Sequence, residues 1–309
     1  MESSPLPVTT HQRSNLRWAL PVIVVALLAV AASAYWMLAR PSAFQGLTYT
    51  SGPLEERMVY TFGLFGPKLA KLPVSGTVID YARSHSGEAV IVEANGMYEV
   101  YRIVDGNAER VASDEALKSS LAISRDGRSI AYAVRTEPPV SNDPIEIYDP
   151  SLWDVMLINA EGTPERLGTG YGPHFFIRDE ISYIAYSTQQ SIHLVDLTTS
   201  THQNIFVNTE DDIELLQAVI SPDGTYVAYR EQGAFSLFTL NTEELRFSAD
   251  PVGLLPEGTA AVAFRGDEVI TAASISESQS VLRTSVVTDP QTILTTVTVS
   301  QSSISTIVP

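Results

Sequence analysis

The sequence predicts an all-β domain, a β-propeller of five or six four-stranded blades, preceded by a single N-terminal transmembrane helix. Three observations predict it. Residues 18–39 form an apolar run without a charged residue. The stretch SPDGTYVAYR at 221–230 is echoed by SRDGRSIAYA at 124–133. Short β-branched and aromatic runs then recur around these two copies at a period near 40 residues, the spacing of propeller blades.

The apolar run comes first in the chain. It reads WALPVIVVALLAVAASAYWMLA, and its proline, Pro21, falls in the first turn, where proline is tolerated. As a helix it reaches roughly 30 Å, enough to cross a bilayer core. Trp18, Tyr35 and Trp36 lie toward its ends, where aromatic belts sit. The rival reading is a cleaved signal peptide, for which Ala32-Ser33-Ala34 offers a small-x-small site. The continuation of the run to Ala39, behind a long polar leader, favours the uncleaved anchor. Arg13 and Arg17 ahead of the span outnumber Arg40 behind it, so residues 1–17 are expected in the cytoplasm. The bulk of the chain is then extracytoplasmic, held to the cell membrane by residues 18–39. Residues 40–56, rich in Pro, Gly and small polar residues, read as a juxtamembrane linker. Residues 57–309 are the propeller, to which 47–50 could add a strand.

Charge and composition narrow the function. The chain has 309 residues, no cysteine and a formal charge of −17. Disulfides, thiolate catalysis and Cys-ligated zinc are excluded. Residues 1–40 carry +2, which leaves −19 on the rest. Nucleic acid is not an expected partner, since phosphate binding needs concentrated Lys and Arg.

The repeats set the fold. The strand after each turn reads Val90-Ile91-Val92, Ile130-Ala131-Tyr132, Ile184-Ala185-Tyr186, Val227-Ala228-Tyr229 and Ile270-Thr271-Ala272. Successive copies are 40, 54, 43 and 43 residues apart. Asp126-Gly127 and Asp223-Gly224 supply tight turns, with glycine taking positive φ without a Cβ penalty. Ser86-Gly87 is a weaker version, and Asp179-Glu180 and Gly266-Asp267 are degenerate. A short strand precedes each turn and two more follow, so the turn joins the first two strands of each blade. Ala131, Ala185 and Ala228 suit strands where neighbouring sheets crowd. Five repeats are visible. A sixth blade could come from residues 47–72, closed by pairing of the chain's two ends, since an open sheet edge invites aggregation.

Ser-Arg-Asp-Gly and Ser-Pro-Asp-Gly ahead of Ile/Val-Ala-Tyr, with DVMLINAEGT at 154–163, resemble the TolB-type WD40-like propeller repeats. The resemblance covers about residues 76–297. It implies the propeller fold, and little about function, since such propellers serve as scaffolds, binding modules and enzyme accessory domains. The sequence departs from TolB in two ways. It leaves no room for the small α/β domain ahead of the propeller, and it has a membrane span where TolB has a removable signal.

Catalytic motifs are sparse. GTGYG at 168–172 mimics a nucleotide loop but falls between two blades with no helix pattern after it, so it reads as a turn. No G-x-S-x-G elbow exists. His85, His174, His193 and His202 lack metal-binding spacing and read as surface or packing residues. Glu210-Asp211-Asp212 is the densest acidic cluster. It reads as a solvated inter-blade loop, with calcium as the sharper alternative, and no cofactor is expected.

In propellers of this winding, inter-blade connections and loops between second and third strands share one face. Here they carry Asp114, Glu115, Glu137, Asp143, Glu210, Asp211, Asp212, Glu231, Glu257 and Glu277. The 54-residue unit owes its excess to residues 135–152, RTEPPVSNDPIEIYDPSL, which add Tyr148 to that face. Long loops within compact domains are often functional. The expected binding residues are therefore Glu210, Asp211, Asp212, Asp143, Tyr148 and Glu231. The expected role is a protein-binding or scaffold module for another envelope protein, with a hydrolase or lyase acting at the propeller face as the alternative.

Overall fold

Val, Ile, Tyr and Ala runs bounded by turn-forming pairs fold back on their chain neighbours as antiparallel strands. The computed structural model describes residues 24–31 and 43–309, apart from 54–55, 65, 138–148, 190, 207–216, 232–233, 242–245, 249 and 302. Blade 1 contains β1 (Thr48–Ser51), β2 (Met58–Gly63) and β3 (Gly66–Leu69). Blade 2 is β4 (Thr77–Arg83), β5 (Glu88–Ala94), β6 (Met97–Val104) and β7 (Asn107–Asp114). Blade 3 is β8 (Lys118–Ile123), β9 (Ile130–Arg135), β10 (Trp153–Ile158) and β11 (Pro164–Thr169). Blade 4 is β12 (Tyr171–Arg178), β13 (Ile181–Ser187), β14 (Ser191–Asp196) and β15 (His202–Phe206). Blade 5 is β16 (Gln217–Ile220), β17 (Tyr226–Glu231), β18 (Ala234–Asn241) and β19 (Arg246–Phe247), with β20 (Gly253–Leu254) also on β18. Blade 6 is β21 (Thr259–Arg265), β22 (Glu268–Ser276), β23 (Gln279–Val286) and β24 (Asp289–Val299).

The last strand, β25 (Ile304–Val308), returns to pair with β1, giving blade 1 the order β25-β1-β2-β3. The first strands touch in a closed cycle, β4, β8, β12, β16, β21, β25 and back to β4. The fold is therefore a six-bladed propeller with four-stranded blades. The choice between five and six falls to six because the C-terminus supplies the strand that residues 47–72 lack. β1 and the buried Phe44 and Leu47 belong to the blade, so the propeller begins within the stretch read as linker.

The turn chemistry explains why serine recurs with Asp-Gly. Ser124 Oγ donates to Asp126 Oδ1 (2.6 Å) and accepts from the Ser129 N–H (2.9 Å). Ser221 Oγ likewise donates to Asp223 Oδ1 (2.6 Å) and accepts from the Tyr226 N–H (2.9 Å). Gly127 and Gly224 take φ of 73° and 70°. Both also face a neighbouring blade: a Cβ on Gly127 would lie 3.1 Å from the Ser86 carbonyl oxygen, and one on Gly224 2.6 Å from the Phe176 ring. Gly87, in the weaker copy, is absent from the positive-φ glycines.

The core lies between blades. Ala131, Val155 and Leu157 of blade 3 pack on Ile184, Tyr186 and Val195 of blade 4. Ala185 and Ala228 occupy matching inter-blade positions, and all three alanines are buried. Residues 24–31 form a helix of eight exposed residues. Among the described residues no helix is long and apolar enough to cross a membrane. The rest of 18–39 lies outside the described residues.

Candidate interaction surface

Antiparallel alternation sorts the connections onto two faces. The turns joining first to second and third to fourth strands lie on one, here the turn face. The second-to-third loops and inter-blade connections lie on the other, the loop face.

On the loop face, the 135–152 insertion joins β9 to β10. Its middle, residues 138–148, lies outside the described residues, and with it Asp143 and Tyr148. Both of its ends are firmly built. The Thr136 N–H and hydroxyl each donate to the Leu152 carbonyl at 3.1 Å. Asp149 caps a 3₁₀ turn over Pro150–Leu152, accepting from the Ser151 N–H at 2.9 Å. The Arg135 guanidinium lies 5.6 Å from the centroid of the Trp153 ring, and Trp153 packs on Tyr171 at 5.1 Å. Trp153, Tyr171 and Arg135 are all buried, with Leu117 and Leu152 against the two aromatic rings. An aromatic base of this kind leaves little freedom where the insertion leaves the blade.

Beside it, the Lys118 side chain is fully buried and donates to the exposed Asp114 carboxylate and to the Ala116 carbonyl (3.2 Å). Asp114 thus serves a buried cation, whereas Glu115, Glu137, Glu257 and Glu277 are exposed on the loop face. Glu210, Asp211 and Asp212 fall in the β15–β16 connection, outside the described residues. Glu231 ends β17, paired with Ala234 at the second-to-third loop of blade 5. The same face holds a recess of about 580 Å³ between blades 1 and 2, lined in part by Met58, Leu69, Leu72 and Val74. Met58 and Leu69 are 46% and 56% exposed. The turn face has a recess of about 590 Å³ among blades 2, 3 and 4, where His85, Arg125 and Asp126 rim Phe175 and Ile177. GTGYG spans the β11–β12 connection, and Gly170 lies against the Tyr186 ring, as a blade junction requires.

Two polar sites went unread in the sequence. Asp80, buried in β4, accepts from the N–H groups of Tyr81 and Leu121 (2.8 Å each) and from the Thr306 hydroxyl (2.9 Å). It thereby ties first strands of blades 1, 2 and 3. The Leu121 N–H is available because β8 bulges there, and β4 and β12 bulge likewise. Burial pushes the Asp80 pKa up, and these hydrogen bonds and the Arg57 charge oppose it. The available signal was one carboxylate inside the apolar strand TVIDYAR. His193 and His202, nine residues apart, meet across β14 and β15. His193 Nδ1 contacts Asn204 Oδ1 (2.5 Å), and its Nε2 contacts His202 Nδ1 (3.0 Å). His174, in first strand β12, retains some exposure, and burial lowers its pKa to about 4 against a hydrogen bond to the Ala218 backbone. Among the described residues no group of three or more His, Cys, Asp or Glu could hold a metal ion.

No family model matches the sequence, and no curated protein does. Solved structures match the fold. TolB from Acinetobacter baumannii superposes with a TM-score of 0.59 at 14% identity, over 86% of this chain and 66% of that one. The chain thus spans just under two thirds of the TolB chain. A chain of a nidogen/laminin complex superposes with a TM-score of 0.57 at 9% identity, over 85% and 98%. An oligogalacturonate lyase from Vibrio parahaemolyticus gives 0.52 at 12% identity, over 74% and 68%. These likenesses concern the fold, and the propeller implied by the TolB-type repeats is the fold this chain has.

Proposed function

We propose that the chain is a membrane-anchored binding module of the cell envelope, whose extracytoplasmic propeller docks another envelope protein on its loop face. The observation that carries this reading is the built base of the 135–152 insertion. A tolerated surface loop needs no buried Arg-Trp-Tyr stack at its root, whereas a docking element gains from being held before the partner arrives. The apolar recess of blades 1 and 2 lies on the same face and adds exposed area of the kind partners cover. Exposed glutamates there favour a basic segment of the partner. Residues 18–39 provide the anchor, with residues 1–17 cytoplasmic.

The test is a pull-down from membrane extract with three baits: the intact 43–309 domain, a variant with 138–148 replaced by a short Gly-Ser turn, and Glu210/Asp211/Asp212→Ser. The insertion variant should lose one partner that the intact domain retains, and the acidic variant should hold it more weakly. Capture of that partner should also fall as salt rises, because exposed charges are screened over roughly 8 Å at physiological ionic strength. Identical capture by all three folded baits would overturn the reading.

A further inference from the structure

The place where the chain enters the propeller decides which face a membrane anchor would hold down. The entry is pinned. The Ala43 carbonyl accepts from Arg265 Nη2 at 2.6 Å. The Gly46 N–H donates to the Phe62 carbonyl and the Leu47 N–H to that of Phe44, each at 2.9 Å. Phe44 and Leu47 are 0% and 1% exposed, in one cluster with Phe62, Ala263 and Ile270. Arg265 ends β21 next to the Gly266-Asp267 turn, and Thr48 at the start of β1 pairs with Val308 at the end of β25. Both chain ends therefore leave the propeller on the turn face.

The apolar run ends at Ala39, four residues before Ala43. Four residues reach at most about 14 Å even when fully extended. Crossing from turn face to loop face takes the length of a blade strand, roughly 20 Å for six residues. A tether that short cannot wrap the propeller.

We infer that the turn face rests against the headgroups of the bilayer and that the insertion-bearing loop face points away from it. This rests on the anchor proposed above and adds the surface that meets the lipid. The turn face is mixed in charge, with Asp105, Asp126, Asp179, Glu180 and Asp267 exposed on it, and the patch that suits that contact lies at blades 2 and 3. Arg125 and Arg128 are exposed there, with Arg102, itself paired to Glu109 at 3.8 Å, beside Arg128, while Arg83 pairs with Glu88 at 3.7 Å and reaches toward Thr48 of blade 1. Arg102 Nη2 donates to the Arg128 carbonyl at 2.6 Å, which places the turn ends of blades 2 and 3 together. Among the described residues Arg125 has no side-chain hydrogen bond or ion pair. Leu64 and Val104, 48% and 41% exposed, stand at the third-to-fourth turns of blades 1 and 2. Arginines beside apolar tips fit a phosphate-bearing interface.

The absence of cysteine makes the test clean. Full-length chains carrying Ser86→Cys, Asp267→Cys, Glu257→Cys or Glu277→Cys are labelled with a fluorophore and reconstituted in phosphatidylethanolamine/phosphatidylglycerol vesicles bearing a headgroup quencher. Fluorescence should be lost at 86 and 267, on the turn face, and retained at 257 and 277, on the loop face. Twenty Gly-Ser residues inserted after Arg40 should shrink that difference. An alkaline wash separates the two readings. Release of the chain overturns the anchor and the orientation with it. Retention with equal or reversed quenching overturns the orientation alone.

Discussion

Gly224 stands where two requirements meet, a left-handed φ of 70° and the face of Phe176 in the next blade. Either alone disfavours a side chain. Gly224→Ala should therefore cost about 1–2 kcal/mol from backbone strain, and Gly224→Val more, read from the urea midpoint. The reverse holds in blade 4, where Asp179 and Glu180 take φ of 50° and 67° without a glycine. Glu180→Gly should stabilise the domain by roughly 1 kcal/mol, read as a higher urea midpoint. Asp80→Ala should be among the most damaging single changes, since it strands the buried Leu121 and Tyr81 N–H groups at about 1–3 kcal/mol each. Asp80→Asn, which keeps a carbonyl acceptor, should lose less. His174 sets a pH dependence. Its pKa is near 4 in the fold and near 6.5 when unfolded, so the unfolded chain binds its proton first. Its contribution to stability is whole above pH 6.5, falls as the pH drops toward 4, and levels off below. In His174→Gln the midpoint should vary less with pH across that window.

At the scale of elements, closure and insertion make opposite predictions. β25 is the innermost strand of blade 1 and holds Thr306 on Asp80. Deleting residues 304–309 opens the ring and exposes the edge of β1. The domain should then aggregate on concentration, visible by light scattering. Replacing 138–148 by a short turn removes no described strand, and the thermal midpoint should stay within a few degrees. Trp153→Ala, at the root of the same insertion, should cost about 3–5 kcal/mol, because its buried ring fills the space between Arg135 and Tyr171. The contrast separates the loop from its foundation.

For the whole molecule the controlling quantities are charge and direction. The formal charge of −17 resists close approach to an anionic surface, so the orientation has to come from the tether rather than from net charge. Under the proposed anchor, the chain-end geometry would turn the turn face to the bilayer and leave the loop face free. If both proposals hold, partner capture should be salt-sensitive, while retention in membranes should survive high salt and alkaline washing alike.

Local chemistry carried much of this into the sequence. Asp-Gly turns, β-branched runs and their period depend on residues within a few positions of each other, so five blades and their strand order could be read directly. The apolar pattern of Met97–Val104 coincides with β6, and the extra residues of 135–152 fall between the second and third strands of blade 3. The sixth blade was visible only in part, because its first strand lies more than 250 residues from the strand it pairs with, as Thr48 and Val308 show. For the same reason the Asp80 bonds to Leu121 and Thr306, the Arg135-Trp153-Tyr171 base and the His193–His202 contact were hidden. Each joins residues whose neighbourhood exists only once strands are in register and the ring is closed. Four-stranded blades following an apolar run can be read from local residue patterns alone. Tertiary structure decided how many blades close, what stitches them together, and which face each chain end leaves by, since those depend on distances that no local pattern encodes.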